Sequence, residues 1–270
     1  MLYSRTVTAS PPRSRGISHE RGSHVPEDTA TIQVRNRLLS SLVNHDYQRL
    51  VSHLQQVDLK LGDVIYTAGD TIENVYFPET AVVSLLSTLE NGDTTEVGLI
   101  GCEGMVGLSV FLGGSITPER ALVQLTGKAL KMPASILTGE LKLGSTIQLQ
   151  LLRYTRSFLA LVTQSVICSQ HHSLEARFAR WLLMMHDYSE SNTLNLTHEM
   201  VSGMIGTRRA GVSMATRELR QQNLITSARG TITILDRDGL ERVACECYAI
   251  IHEEFERLHN TQMFSKPTLK

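Results

Sequence analysis

The sequence predicts an α+β chain in three successive parts: an antiparallel β-roll, one long helix, and a compact helical region closed by a β-hairpin. Three patterns carry that prediction. Between Val57 and Met132, short runs rich in β-branched residues alternate with turn residues. From 144 to 172 apolar residues recur at alternating steps of four and three. Between 194 and 236, two short helical patterns flank Gly206 and two short strands follow. At 270 residues, 41% hydrophobic and 20% charged, the chain is long enough for more than one globular domain.

Residues 1–33 are rich in Ser, Arg, Pro and Gly and show no apolar period, so a disordered tail is expected there. Leu38, Leu39, Leu42, Tyr47, Leu50 and Leu54 then fit one or two short amphipathic helices. Strands are expected at 63–66, 75–77, 81–86, 96–100, 121–125 and 129–132, separated by Gly62-Asp63, Gly69-Asp70, Asn91-Gly92-Asp93 and Gly113-Gly114. Many short strands at close spacing imply a roll, and residues 34–143 are taken as one domain. In the helix at 144–173, Ile147, Leu151, Tyr154, Phe158, Leu161, Ser165 and Cys168 form a heptad seam. A dimer contact through Ile147, Leu151, Tyr154, Phe158, Leu161 and Ser165 is expected; packing of the same face on its own domain is the alternative. A further helix follows, with Phe178, Trp181, Leu182 and Met185 on one side.

Residues 174–258 are expected to form a third domain. Thr197 caps its next helix through the hydroxyl, with Met200, Val201, Met204 and Ile205 inward. Gly206 supplies the positive φ of a tight turn. Thr207 is expected to cap a second helix, 208–221, with Val212, Ala215, Thr216 and Leu219 inward. The strands at 224–225 and 232–234, turning at Arg229-Gly230, read as a wing. An extra acidic amphipathic helix is expected over 239–258, and a tail over 259–270.

Charge is divided unevenly. Residues 60–140 hold Lys60, Arg120, Lys128 and Lys131 against ten Asp or Glu, whereas 196–230 hold Arg208, Arg209, Arg217, Arg220 and Arg229 against Glu199 and Glu218. The net charge of −1 excludes a uniformly basic coat, but the local excess suits an anionic partner. A helix of this kind lying in the major groove presents Arg208 and Arg209 to base edges. Its free N–H groups and the Thr207 hydroxyl suit phosphates, as do Arg217, Arg220 and Arg229.

At these residues the chain resembles the cyclic-AMP-receptor/FNR (Crp–Fnr) superfamily of bacterial transcription regulators. Residues 197–213 are similar to its winged helix-turn-helix, and 61–70 resemble the opening strands of its cyclic-nucleotide-type jelly roll. The resemblance covers about 34–244 and implies a cytoplasmic homodimer that binds double-stranded DNA at a near-palindromic promoter site, with RNA polymerase as a further partner. It places Arg209 on the guanine-reading arginine, and Arg208, Ala210, Gly211, Ser213 and Met214 on neighbouring base- or phosphate-facing positions. Thr197, Thr207, Arg217 and Arg229 complete the expected DNA-binding set. Ala210 and Met214 depart from the glutamate and arginine of the best-studied member, so a different operator is expected.

The effector cassette departs further. Met105 stands at the ribose-binding glutamate and Glu119 at the phosphate-binding arginine, and a carboxylate repels a phosphate. A one-residue shift using Glu103, Gly104, Gly107 and Arg120 is the remaining candidate. Cyclic-nucleotide control is therefore not expected. No cysteine precedes Cys102, so no N-terminal iron–sulfur cluster is expected. With no histidine from 57 to 136, a cupin-type metal on the roll is excluded. Cys245 and Cys247 read as a surface helix pair and His171-His172 as polar surface, so neither a cofactor nor a metal is expected. No nucleophile elbow, phosphate loop or dinucleotide fingerprint occurs, so no catalytic residue and no enzyme are expected. No apolar run approaches the roughly eighteen residues of a membrane span. The rival reading is a cyclic-nucleotide-type signalling module acting through protein contacts rather than DNA.

Overall fold

A computed structural model describes residues 34–259; the predicted tails at 1–33 and, beyond His259, at 260–270 lie outside them. Two short helices, α1 (Arg37–Ser40) and α2 (Asn44–Val51), precede the strands. The roll comprises β1 (Gln55–Leu59), β2 (Val64–Tyr66), β3 (Asn74–Pro78), β4 (Val82–Thr88), β5 (Thr94–Ile100), the helical turn α3 (Leu108–Phe111), β6 (Arg120–Leu125) and β7 (Gly127–Pro133). The strands pair antiparallel into two sheets, ordered β1-β7-β3 and β2-β6-β4-β5.

β4 shows why the strand signals are so apolar. Val83 and Leu85 point into the roll among Ile100, Val106, Ala121 and Val123, while Val82 and Leu86 on the other face meet helices. With both faces covered, alternation gives way to a continuous apolar run.

After α4 (Ala134–Lys142) comes α5 (Thr146–His171), 26 residues and roughly 39 Å long. The predicted seam packs within its own protomer, the alternative named above. Ile147, Leu151, Tyr154 and Leu161 are fully buried within their own chain, with Phe158 and Ser165 partly so. Phe158 seats on Gly98 of β5, where a Cβ would stand 2.5 Å from the ring. The other cover is α10 (Cys247–His259), which returns from the end of the chain to lie along α5. There Phe255 stacks obliquely on Tyr154 at 6.4 Å, and the Ser157 hydroxyl donates to the Glu254 carbonyl. The exposed stripe of α5 is a different one: Leu149, Leu152, Leu159 and Val166 are each about half exposed and again follow heptad steps.

The remaining elements are α6 (Leu174–Asp187), β8 (Thr193–Asn195), α7 (His198–Met204), α8 (Arg209–Gln221), β9 (Ile225–Ala228), β10 (Thr231–Ile234) and α9 (Arg237–Val243). β8 pairs with β10, so the wing is a three-stranded sheet ordered β8-β10-β9 rather than a lone hairpin. The single helix expected at 239–258 is two helices, because Ala244 takes an extended backbone (φ −62°, ψ 149°) between α9 and α10.

This C-terminal region packs directly on the roll. Trp181 of α6 donates its indole N–H to Glu96 of β5 at 3.0 Å, and the Ser84 hydroxyl donates to the other oxygen. Desolvation nevertheless raises the Glu96 carboxyl from its usual 4.5 to about 7. An acid whose folded-state value is raised stabilises the fold fully below about pH 4.5 and loses that contribution as pH climbs through about 7. Glu96→Gln keeps an acceptor for Trp181 and carries no charge. Wild-type stability is expected to fall across this window and the variant's to stay flatter, ahead by ~1–2 kcal/mol at about pH 8. Urea midpoints measured at both ends of the window check this; equal pH slopes would remove the assignment.

Candidate nucleic-acid interface

The interface candidate is built on α7, α8 and the wing. Thr197 caps α7 as predicted, accepting from the Met200 N–H at 3.2 Å. Gly206 turns the chain at φ +59°. The cap of α8 differs from expectation. Its N-cap is Arg208 in extended geometry with no side-chain cap, and Thr207 belongs to the turn, donating its N–H to the Ser202 carbonyl. The turn takes one residue more than the pattern implies. Thr207 Oγ1 instead closes on Gly211, 2.7 Å from where a Cβ would stand. The uncapped start of α8 leaves orphan N–H groups among arginines.

Val212, Ala215, Thr216 and Leu219 are buried beneath α8, as predicted. That orientation exposes Arg208, Arg209, Ala210, Ser213, Met214 and Arg217, and leaves Gly211 and Thr207 partly covered. Ser213 is exposed yet engaged: its hydroxyl donates to the Arg209 carbonyl and pairs with His198 Nδ1 at 3.1 Å, tying α8 to α7. Arg229 (φ +46°) and Gly230 (φ +81°) form the tight turn at the wing tip, with the Arg229 side chain exposed. Thr197, at the foot of α7, is exposed beside Gly230.

Two groups of arginines stand in contrast. Arg35, Arg37, Arg49, Arg156, Arg237, Arg242 and Arg257 each pair with a carboxylate. Among the described residues, no carboxylate pairs with Arg208, Arg209, Arg217, Arg220 or Arg229. An exposed, unneutralised arginine face is what a polyanion requires.

The four effector candidates each have their own surroundings. Glu103 is buried, accepts from the Gly101 N–H, and lines a 230 Å³ cavity with Arg37, Cys102, Tyr188, Tyr248 and Phe255. Burial raises its carboxyl. Arg120 begins β6 opposite Leu86 of β4, and Gly107 (φ +97°) caps α3 against Val75 and Ile72. Gly104 packs on the Tyr154 ring. Met105 is core, and Glu119 accepts from the Thr117 hydroxyl.

The cysteine expectation is corrected. Cys245 and Cys247 are buried, not surface, because the break after α9 turns both inward. They meet Cys168 at the end of α5 and His172 just beyond it; His171 is exposed. Cys168 and Cys245 are 77 positions apart, and the Cys-x-Cys and Cys-x₃-His spacings that fold together were the available signal.

Two family profiles match: a Crp-like helix-turn-helix domain over residues 176–243 and a cyclic nucleotide-binding domain over 56–142. Among solved structures, FixK2 from Bradyrhizobium japonicum is 17% identical with a TM-score of 0.61, covering 71% of this chain and 98% of that one. TTHA1359, a CRP/FNR-family transcriptional regulator from Thermus thermophilus, is 22% identical at TM-score 0.57, covering 70% and 98%. TTHB099, a CRP-family transcriptional regulator from the same organism, is 21% identical at TM-score 0.57, covering 70% and 96%. No curated protein sequence matches the chain. Among the described residues, no helix is long and apolar enough to cross a membrane.

Proposed function

We propose, for a chain that belongs to the Crp–Fnr superfamily of DNA-binding transcription regulators, that two copies grip one near-palindromic promoter site. The family is one of regulators, not enzymes. In this reading α8 enters the major groove, Arg208 and Arg209 meet base edges, and Ala210, Gly211, Ser213 and Met214 shape the fit. Thr197, Thr207, Arg217, Arg229 and the orphan N–H groups hold phosphates. The observation that carries it is the five exposed arginines of α8 and the wing without carboxylate partners, while the other exposed arginines among the described residues, Arg35, Arg37, Arg156, Arg242 and Arg257, each pair with one.

The two copies meet through the exposed stripe Leu149, Leu152, Leu159 and Val166, since the buried seam is already covered. Two-fold pairing sets half-sites about 34 Å apart. A regulator held at a promoter then acts by touching RNA polymerase or by blocking it. The roll serves as scaffold and relay rather than as a cyclic-nucleotide receptor. Met105 in the core and Glu103, buried and held by the Gly101 N–H, support that reading.

Sequencing genomic fragments retained by the purified protein tests the proposal. An inverted repeat with centres about one helical turn apart is expected. Retention without any shared sequence would overturn it.

A further inference from the structure

Three thiols and one imidazole converge where α5 hands over to α6. Cys168 and His172 lie one helical turn apart, and Cys245 and Cys247 flank Glu246 where the chain enters α10, Cys247 being its first residue; all four candidate ligand atoms lie within 4.8 Å of one another. We propose that these four residues bind one soft divalent cation, Zn²⁺ by donor chemistry, with three thiolate ligands and His172 Nδ1 as the fourth.

The geometry supports a mononuclear tetrahedron. Metal–sulfur bonds of about 2.3 Å place tetrahedral sulfurs about 3.8 Å apart, and a sulfur and an imidazole nitrogen about 3.6 Å apart. Cys168 Sγ and Cys245 Sγ are 3.4 Å apart, and Cys247 Sγ is 3.4 Å from His172 Nδ1. Small outward shifts admit the ion. An iron–sulfur cube, with four irons at its centre, needs ligand atoms set wider than 4.8 Å. The outer shell is also present. His172 Nε2 faces the Glu246 carboxylate at 3.3 Å, the carboxylate–histidine–metal arrangement that fixes Nδ1 as the ligating nitrogen. Arg177 and Arg180 lie close enough to Cys168 to interact with its charge, offsetting the net negative charge of a tris-thiolate site. Ligation releases the thiol protons to solvent and involves no redox step.

The ligands bracket residues 173–244, which contain the whole winged helix, so the ion acts as a clasp closing the start of that segment onto its end. From α6, beside the clasp, Arg177 reaches the Ile205 carbonyl in the turn before α8. The ion therefore steadies the hinge on which α8 is carried. Its binding does not depend on what the winged helix recognises.

Titrating reduced, chelator-treated full-length protein with Co²⁺ tests the site. Tetrahedral d–d bands and thiolate-to-cobalt charge transfer are expected, saturating at about one ion per protomer and bleached by Zn²⁺. The double variant Cys245→Ser/Cys247→Ser loses both bands. Glu246→Gln, at an exposed position outside the ligand set, keeps the spectrum and weakens Co²⁺ affinity about 10–100-fold. That arm does not depend on the cysteine variant folding. Absence of thiolate charge transfer in reduced wild type would overturn the proposal, as would iron with labile sulfide at these thiols. Air oxidation to a Cys168–Cys245 disulfide in protein that takes up no Co²⁺ would replace it with a redox pair.

Discussion

Alanine at both Arg208 and Arg209 is expected to abolish sequence-specific DNA binding while leaving the protein folded. Both side chains are exposed and pair with no carboxylate among the described residues, so their removal breaks no internal contact. Surface substitutions of this kind change stability by only about ±0.5 kcal/mol. Each arginine that reads a guanine contributes about 1–3 kcal/mol of discrimination. A dimer loses the pair twice, about 4–12 kcal/mol, which spans the usual gap of about 4–10 kcal/mol between specific and non-specific binding. Arg229→Ala should behave differently, weakening all sequences alike and lowering the salt slope by about two, one for each copy. Gel shifts against retained and scrambled fragments over a salt series separate the two. Unchanged discrimination in the double variant would move base reading away from the start of α8.

Leu152→Asp/Leu159→Asp is expected to give a folded monomer. These side chains are already 53% and 59% exposed in the protomer, so charge there costs its fold little. Across a symmetric helix pair, the same carboxylates meet their own copies in a desolvated seam, and like charges there repel. Losing the second half-site contact lowers DNA affinity by about 10²–10⁴-fold, the usual avidity of linked sites. Leu151→Asp is the contrast. That residue is 0% exposed, and a carboxylate there should unfold the protomer. Sedimentation with circular dichroism distinguishes them. A Leu152→Asp/Leu159→Asp protein that stays dimeric would place the interface elsewhere.

The two leucine sites show where sequence reading stops. Ile147, Leu151, Tyr154 and Leu161 follow one heptad frame, and Leu149, Leu152, Leu159 and Val166 follow another on the same helix. Period alone cannot say which is covered from within. That depends on α10 returning from nearly a hundred positions downstream, as Ser157 and Glu254 show. Elements set by local chemistry were legible: the roll strands from turn residues, Thr197 as a cap, Gly206 as the turn, and the inward face of α8. The start of α8 was misplaced by one residue because Thr207 has cap chemistry but turn geometry. Of the candidate interface, every arginine could be named from the sequence; their lack of internal partners could not. The joining of Cys168, His172, Cys245 and Cys247 into one cluster escaped the sequence for the same reason as α10. Each half is an ordinary short spacing until the chain closes on itself.

The return of α10 also limits how this protein can be taken apart. Ile251, Phe255 and Leu258 shelter against α5, and Arg37 of α1 grips Glu256 at 2.8 Å. A fragment excised after residue 173 would carry α10 without the ledge it rests on, leaving a greasy ribbon in water and an unroofed Tyr154 behind. The reader of DNA in this chain is not a transplantable cassette. Any graft onto another sensor has to bring the long helix with it.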